Sequence, residues 1–173
     1  MNGSKQQRVL VGVDGSAASR PALHWAAGEA RLRHSALHIV GAWDPATHAA
    51  FYADAGGPVT RVERKIIARD AFSAAIRSEF GPQLPDGVTA ELAEDAPERI
   101  LLARSVDADL LVLGATSRPW PVEWFAGPVV RACLAHASCP VVVIGSAAGA
   151  AVPADQDLAR TDPRPAIAIP GPL

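Results

Sequence analysis

Leu110-Leu111-Val112-Leu113-Gly114-Ala115-Thr116-Ser117 is the stretch on which the reading of this chain turns. Its opening run of aliphatic residues, bounded by glycine, has the length and composition of a strand buried on both faces, which points to a parallel sheet. A glycine directly after such a strand lets the backbone turn tightly and bring its N–H groups close to a ligand. Further on, Gly127-Pro128 heads a second apolar stretch, Val129 to His136, that reads as a helix. The N-terminal N–H groups of a helix attract anions. Gly114, Ser117, Gly127 and Pro128 together outline a split phosphate cradle.

Working outward, the same alternation repeats. Arg8-Val9-Leu10-Val11-Gly12-Val13 reads as a strand closed by the turn Asp14-Gly15-Ser16. A helix is predicted over Ala17–His34, capped by Ser16 or Ser19, with Pro21 tolerated in its first turn. Ala36–Trp43 is a second strand, and residues 44–58 form a long loop. Val62, Ile66, Phe72, Ile76 and Phe80 mark a long helix stopped by Gly81-Pro82. Val88–Ala93 alternates apolar and polar residues as an edge strand does, and Pro97 opens a short helix through Ile100 to Ala103. Val141-Val142-Val143-Ile144 is the last strand. Strand and helix alternating along the whole length imply an α/β fold, a parallel sheet with helices on both faces. The domain is placed at residues 8–145, after a flexible N-terminus over 1–7. Residues 146–173 hold five Pro and eight Ala without periodicity, so they read as a disordered tail.

Composition narrows the classes. The chain has 173 residues, 49% hydrophobic and 20% charged, which suits a globular protein with a proper core. A net charge of −2 with no basic run speaks against a nucleic-acid surface. No apolar stretch is long enough to span a membrane and Met1–Gln7 has no apolar signal region, so a cytoplasmic protein is expected. Cys133 and Cys139 form neither a disulfide framework nor a CxxC pair, and read as buried thiols. The five histidines show no metal-ligand spacing. Trp25 and Trp43 read as core or helix–sheet packing rather than a stacking platform. No nucleophile paired with a base stands out.

In an open parallel sheet, ligands bind beyond the carboxyl ends of the strands, where strand order reverses. Were the first and fourth strands neighbours there, Asp14 would accept hydrogen bonds from ribose hydroxyls while the Gly114 loop took phosphates. The competing reading is that Asp14 and Ser16 only cap the first helix.

Three segments together resemble the universal stress protein family, over about residues 7–146: Val9 to Ser16, Asp109 to Gly114, and Val129 to Ile144. The resemblance implies a five-stranded sheet of order 3-2-1-4-5 and a homodimer joined through the last strand, Val141, Val142, Val143 and Ile144. Some members bind ATP through Gly, two residues, Gly, nine residues, Gly and then Ser or Thr. Carried over, Gly114 and Gly127 match, Asp14 falls at the ribose position with Val13 beside it, and Ala42 falls where the family contacts adenine. Ser117 replaces the second glycine and Pro128 the hydroxyl residue. The expected nucleotide site is therefore Val13, Asp14, Ala42, Gly114, Thr116, Ser117, Arg118, Gly127, Pro128 and Val129, with Mg²⁺ accompanying ATP.

The two departures weaken that site. Pro128 has neither hydroxyl nor N–H, and donors to charged groups contribute ~1.5–3 kcal/mol each. Losing two lowers affinity by ~10²–10⁴-fold. If the position of Ser117 needs a positive φ, its side chain costs ~1–2 kcal/mol. Thr116, Ser117 and Arg118 offer some compensating contacts. Between them and Gly127, Pro119-Trp120-Pro121-Val122-Glu123-Trp124-Phe125 makes a stiff, apolar insert where a phosphate loop is normally small and polar. Three functions stay open: a stress-responsive sensor with a degenerate ATP site, a dimerisation or protein-interaction domain with the crevice closed by Trp120 and Trp124, and a slow ATP hydrolase with Asp14 holding Mg²⁺.

Overall fold

The computed structural model describes residues 7–44, 60–117 and 127–147. Along them run β1 (Arg8–Gly12), α1 (Ser19–Leu32), β2 (Ala36–Ala42), α2 (Arg61–Phe80), β3 (Val88–Ala93), α3 (Pro97–Ser105), β4 (Leu110–Ser117), α4 (Pro128–His136) and β5 (Val141–Ala147). The strands form one sheet of order β3-β2-β1-β4-β5, and each neighbouring pair is parallel. The order expected from the family resemblance is the order found. β1 pairs with both β2 and β4, so the strand order reverses between β1 and β4.

Alternation along the central strands divides the core in two. Val9 and Val11 of β1 face a cluster with Leu23, Ala26 and Phe72, built by α1 and α2. Leu10 faces the other way, into a cluster with Leu101, Leu111, Val130 and Cys133 under α3 and α4. Each fully buried aliphatic side chain contributes ~1.5–3 kcal/mol relative to exposure, which is why a continuous apolar run in β1 and β4 commits both sheet faces to helices. Trp43 is fully buried as expected, whereas Trp25 lies 36% exposed on α1 and is not a core residue.

Local chemistry sets the helix ends. α1 begins at Ser19 after an Ala18 N-cap with no side-chain capping bond. Ser16 instead closes the turn before it, its carbonyl and Oγ both accepting from Ser19 N–H, at 3.2 and 3.3 Å. α1 ends in a Schellman turn: His34 N–H reaches the Arg31 carbonyl and Ser35 N–H the Ala30 carbonyl, with His34 at φ +52°. α2 opens with a capping box that the apolar pattern does not reveal, Thr60 and Glu63 each bonding the other's backbone N–H. Those bonds hold the Glu63 carboxyl below its ordinary range. α2 stops at Gly81, as expected.

β4 departs from expectation in an instructive way. The chain does not turn at Gly114; the strand continues to Ser117, pairing with β5 out to Ala147. A Cβ on Gly114 would lie 2.1 Å from the Ala18 carbonyl oxygen. Glycine is needed there because the head of α1 packs directly on the strand backbone. Ser117, as a paired strand residue, needs no positive φ, so the strain expected of it has no basis. The loop at 45–59, Arg118, the aromatic insert and residues 148–173 lie outside the described residues.

Candidate functional site

A cleft of about 350 Å³ opens at the carboxyl ends of β1, β2 and β4. The heads of α1, α3 and α4 close it, through Ala18 and Ser19, Pro97, and Gly127 to Val130. Its position is the switch point that the sheet order creates. Seven of the residues expected from the sequence line it together: Val13, Asp14, Ala42, Gly114, Gly127, Pro128 and Val129. Thr116 and Ser117 continue β4 opposite Ser146 and Ala147.

Val13 is buried, its N–H donated to the Val40 carbonyl at 2.9 Å, which ties the end of β1 to β2. Asp14 follows and is exposed. Its Oδ1 accepts the Ser16 N–H at 2.9 Å, which closes the Asp14-Gly15-Ser16 turn, and it makes no capping bond to α1, so the competing reading of Asp14 as a helix cap is corrected. That bond uses one carboxylate oxygen and fixes the side chain at the cleft mouth; a carboxylate has lone pairs left for a ligand's hydroxyls. Asp14 is the one charged side chain among the described lining residues.

The same cleft is lined by the head of α4. Gly127 caps it at φ −54°, ψ 167°, an extended conformation open to any residue. A Cβ there would meet no described atom within 4 Å, so the missing side chain leaves room rather than relieving a clash. Pro128 occupies the first helical position, where the fold loses nothing by its missing N–H. The first intrahelical bond runs from Arg131 N–H to the Gly127 carbonyl at 3.0 Å. Val129 and Val130 N–H precede it and have no carbonyl within the helix to bond. The cleft is thus lined by a carboxylate, a helix head bearing two N–H donors, and an apolar wall.

Sequence reading missed that wall, formed by Val40, Pro97, Leu101, Leu113 and Val130. A signal was present in Pro97, which starts a helix directly after a strand on the same sheet edge. Elsewhere, Cys133 is fully buried, and burial pushes its thiol up to about 11; burial also raises the half-buried Cys139. Such thiols are inert at neutral pH. Among the described residues no cluster of His, Cys, Asp and Glu is arranged to hold a metal ion, and no helix is long and apolar enough to cross a membrane.

Comparison with known proteins agrees with this fold. The model of the universal stress protein family matches residues 6–145. The universal stress proteins Rv2005c and Rv2623 of Mycobacterium tuberculosis are each 31% identical, covering 82% and 83% of this chain. The match takes up 49% of each, so the chain spans about half the length of these curated relatives. Among solved structures, a universal stress protein from Archaeoglobus fulgidus is 28% identical with a TM-score of 0.55, over 79% of this chain and 97% of that one. Another from that organism, solved in complex with dAMP, is 27% identical with a TM-score of 0.52, over 80% and 98%. Sheet order, switch-point cleft and sequence match agree: the chain belongs to the universal stress protein family.

Proposed function

We propose that this chain is a stress-responsive regulatory module, working in the cytoplasm as a homodimer, whose switch-point cleft senses an adenine nucleotide and holds a triphosphate weakly. One observation carries the reading: Asp14 at the end of β1, Gly114 and the head of α4 line the same cleft. A ribose diol suits the carboxylate, a planar base suits the apolar wall near Val40 and Ala42, and a phosphate suits Val129 and Val130 N–H. The relative solved with dAMP, at 27% identity, supports an adenine nucleotide as the ligand class.

The residues present fit the nucleoside and one phosphate better than a full triphosphate. Pro128 withholds both hydroxyl and N–H at the first turn of α4. No cationic side chain among the described lining residues offsets the further phosphate charge. Mg²⁺, if it accompanies ATP, would find Asp14 as its one carboxylate and take its remaining ligands from phosphate and water. No catalytic base is assigned, so sensing rather than hydrolysis is the reading.

Thermal unfolding of the full chain with AMP, dAMP and MgATP tests this. A ligand at ~100 times its dissociation constant stabilises the fold by ~2.7 kcal/mol. AMP or dAMP is expected to raise the melting temperature and MgATP to raise it less, with Pro128→Ser increasing the MgATP shift. No shift with any of the three at millimolar concentration would remove the nucleotide reading and leave the dimer.

A further inference from the structure

A second cleft, of about 510 Å³, lies at the opposite end of the sheet, between the C-terminal ends of α1 and α2 and the start of β3. Its floor is apolar, made by buried Leu37 and the partly buried Phe80 and Val88. Its rim carries both signs of charge: Arg31 and His34 from the end of α1, and Asp86 from the turn before β3. Arg31 and Asp86 do not neutralise each other. Arg31 Nε donates to the Ala27 carbonyl at 3.0 Å, which leaves the two terminal guanidinium nitrogens. The Asp86 side chain has no hydrogen bond or ion pair among the described residues. His34 holds the left-handed position of the Schellman turn, usually a glycine's, and so adds an imidazole to the rim.

A simple anion here would meet Arg31 but also the carbonyl ends of two helices; a simple cation would meet those ends and Asp86 but also Arg31. A molecule that carries an ammonium and a carboxylate on one carbon offers a partner to each sign of charge on this rim. We propose that this cleft binds a free apolar α-amino acid. Its carboxylate pairs with the Arg31 guanidinium, its ammonium with Asp86, and its side chain lies on Leu37, Phe80 and Val88. The volume is ample for a small ligand. The module would then have a second input, at the other end of the sheet from the nucleotide cleft and independent of it.

Saturation-transfer NMR on the full chain tests this, with L-leucine and L-phenylalanine as probes. Saturation of L-leucine that L-phenylalanine competes away is expected. 4-Methylpentanoate, which lacks the ammonium, and 3-methylbutylamine, which lacks the carboxylate, should bind at least ~10-fold more weakly, since each loses a charge-assisted contact. Asp86→Asn and Arg31→Gln, both at exposed positions, should weaken L-leucine to a similar degree with the fold intact. No transfer from either amino acid, equal binding of the acid or the amine, or undiminished binding by Asp86→Asn would each overturn the proposal. None of these results depends on whether a nucleotide binds the first cleft.

Discussion

Replacing Gly114 by alanine sets a Cβ 2.1 Å from the Ala18 carbonyl oxygen and 3.0 Å from Ser19 N. Backbone on both sides has little freedom to give way, so α1 must move off β4. The expected cost is ~2–3 kcal/mol, read as a lower urea midpoint at unchanged slope; wild-type stability would show that the contact is not tight. His34 offers the opposite test. Its φ of +52° costs a side chain ~1–2 kcal/mol, against ~0.5–1 kcal/mol of extra chain entropy lost by glycine. His34→Gly should therefore stabilise the fold by ~0.5–1 kcal/mol in the same assay. Neither effect is visible in residue type alone. Gly114 reads as a turn residue until Ala18 is seen against it, and nothing local to His34 marks its left-handed turn.

Elements meet around His38 and along the sheet edges. His38 on β2 is half-buried, 3.4 Å from Glu91 of β3, with Arg8 of β1 and Arg104 of α3 also facing it. Desolvation lowers its pKa from the ordinary 6.5 and outweighs the pull of Glu91, while both arginines add to the lowering. The unfolded chain therefore takes up this proton more readily than the fold does. Stability is complete above about pH 6.5 and declines as pH falls, until His38 titrates in the fold as well. Glu91, held below 4.5 chiefly by its bond to Arg104, contributes only to losses at lower pH. Urea midpoints should fall between pH 7 and pH 5.5, and His38→Gln should flatten that slope; an unchanged slope would assign it to other groups.

The two edges of the sheet differ. β3 carries Glu91 within it and Glu94 just after, as protected edges do. β5 reads Val-Val-Val-Ile-Gly-Ser-Ala, with no charge or proline to deter pairing, and has no strand on its outer side among the described residues. Because Leu111 N–H bonds the Pro140 carbonyl, the main-chain groups of Val141 and Val143 point away from β4. The side chains of both rest on the α3–α4 core, and those of Val142 and Ile144 on the α1–α2 core. A charge at Val142 or Val143 would thus disturb the core as well as any interface. Val143→Pro removes an outward donor while leaving an uncharged, apolar side chain at the core. Sedimentation should give a dimer for the wild type and a monomer for this variant, with far-UV circular dichroism unchanged; a wild-type monomer would remove the dimer reading.

At the scale of the molecule, much was already legible in the chain. Apolar runs and their breakers gave the positions of strands and helices, because those patterns depend on neighbours a few residues apart. β4 and β5 run past the points where their aliphatic residues end, since strand pairing rather than hydrophobicity sets their length. Pro128 was legible as a helix start and as a missing donor, since both follow from its covalent structure. What only tertiary structure decided is the meeting of distant segments. The β1–β4 pairing places Asp14 and the head of α4 on one cleft, and the C-terminal ends of α1 and α2 bring Arg31, His34 and Asp86 to the rim of another. No local pattern encodes those meetings. They follow from the packing of two helix layers on one sheet, where each contact is favourable only once the rest of the core is in place.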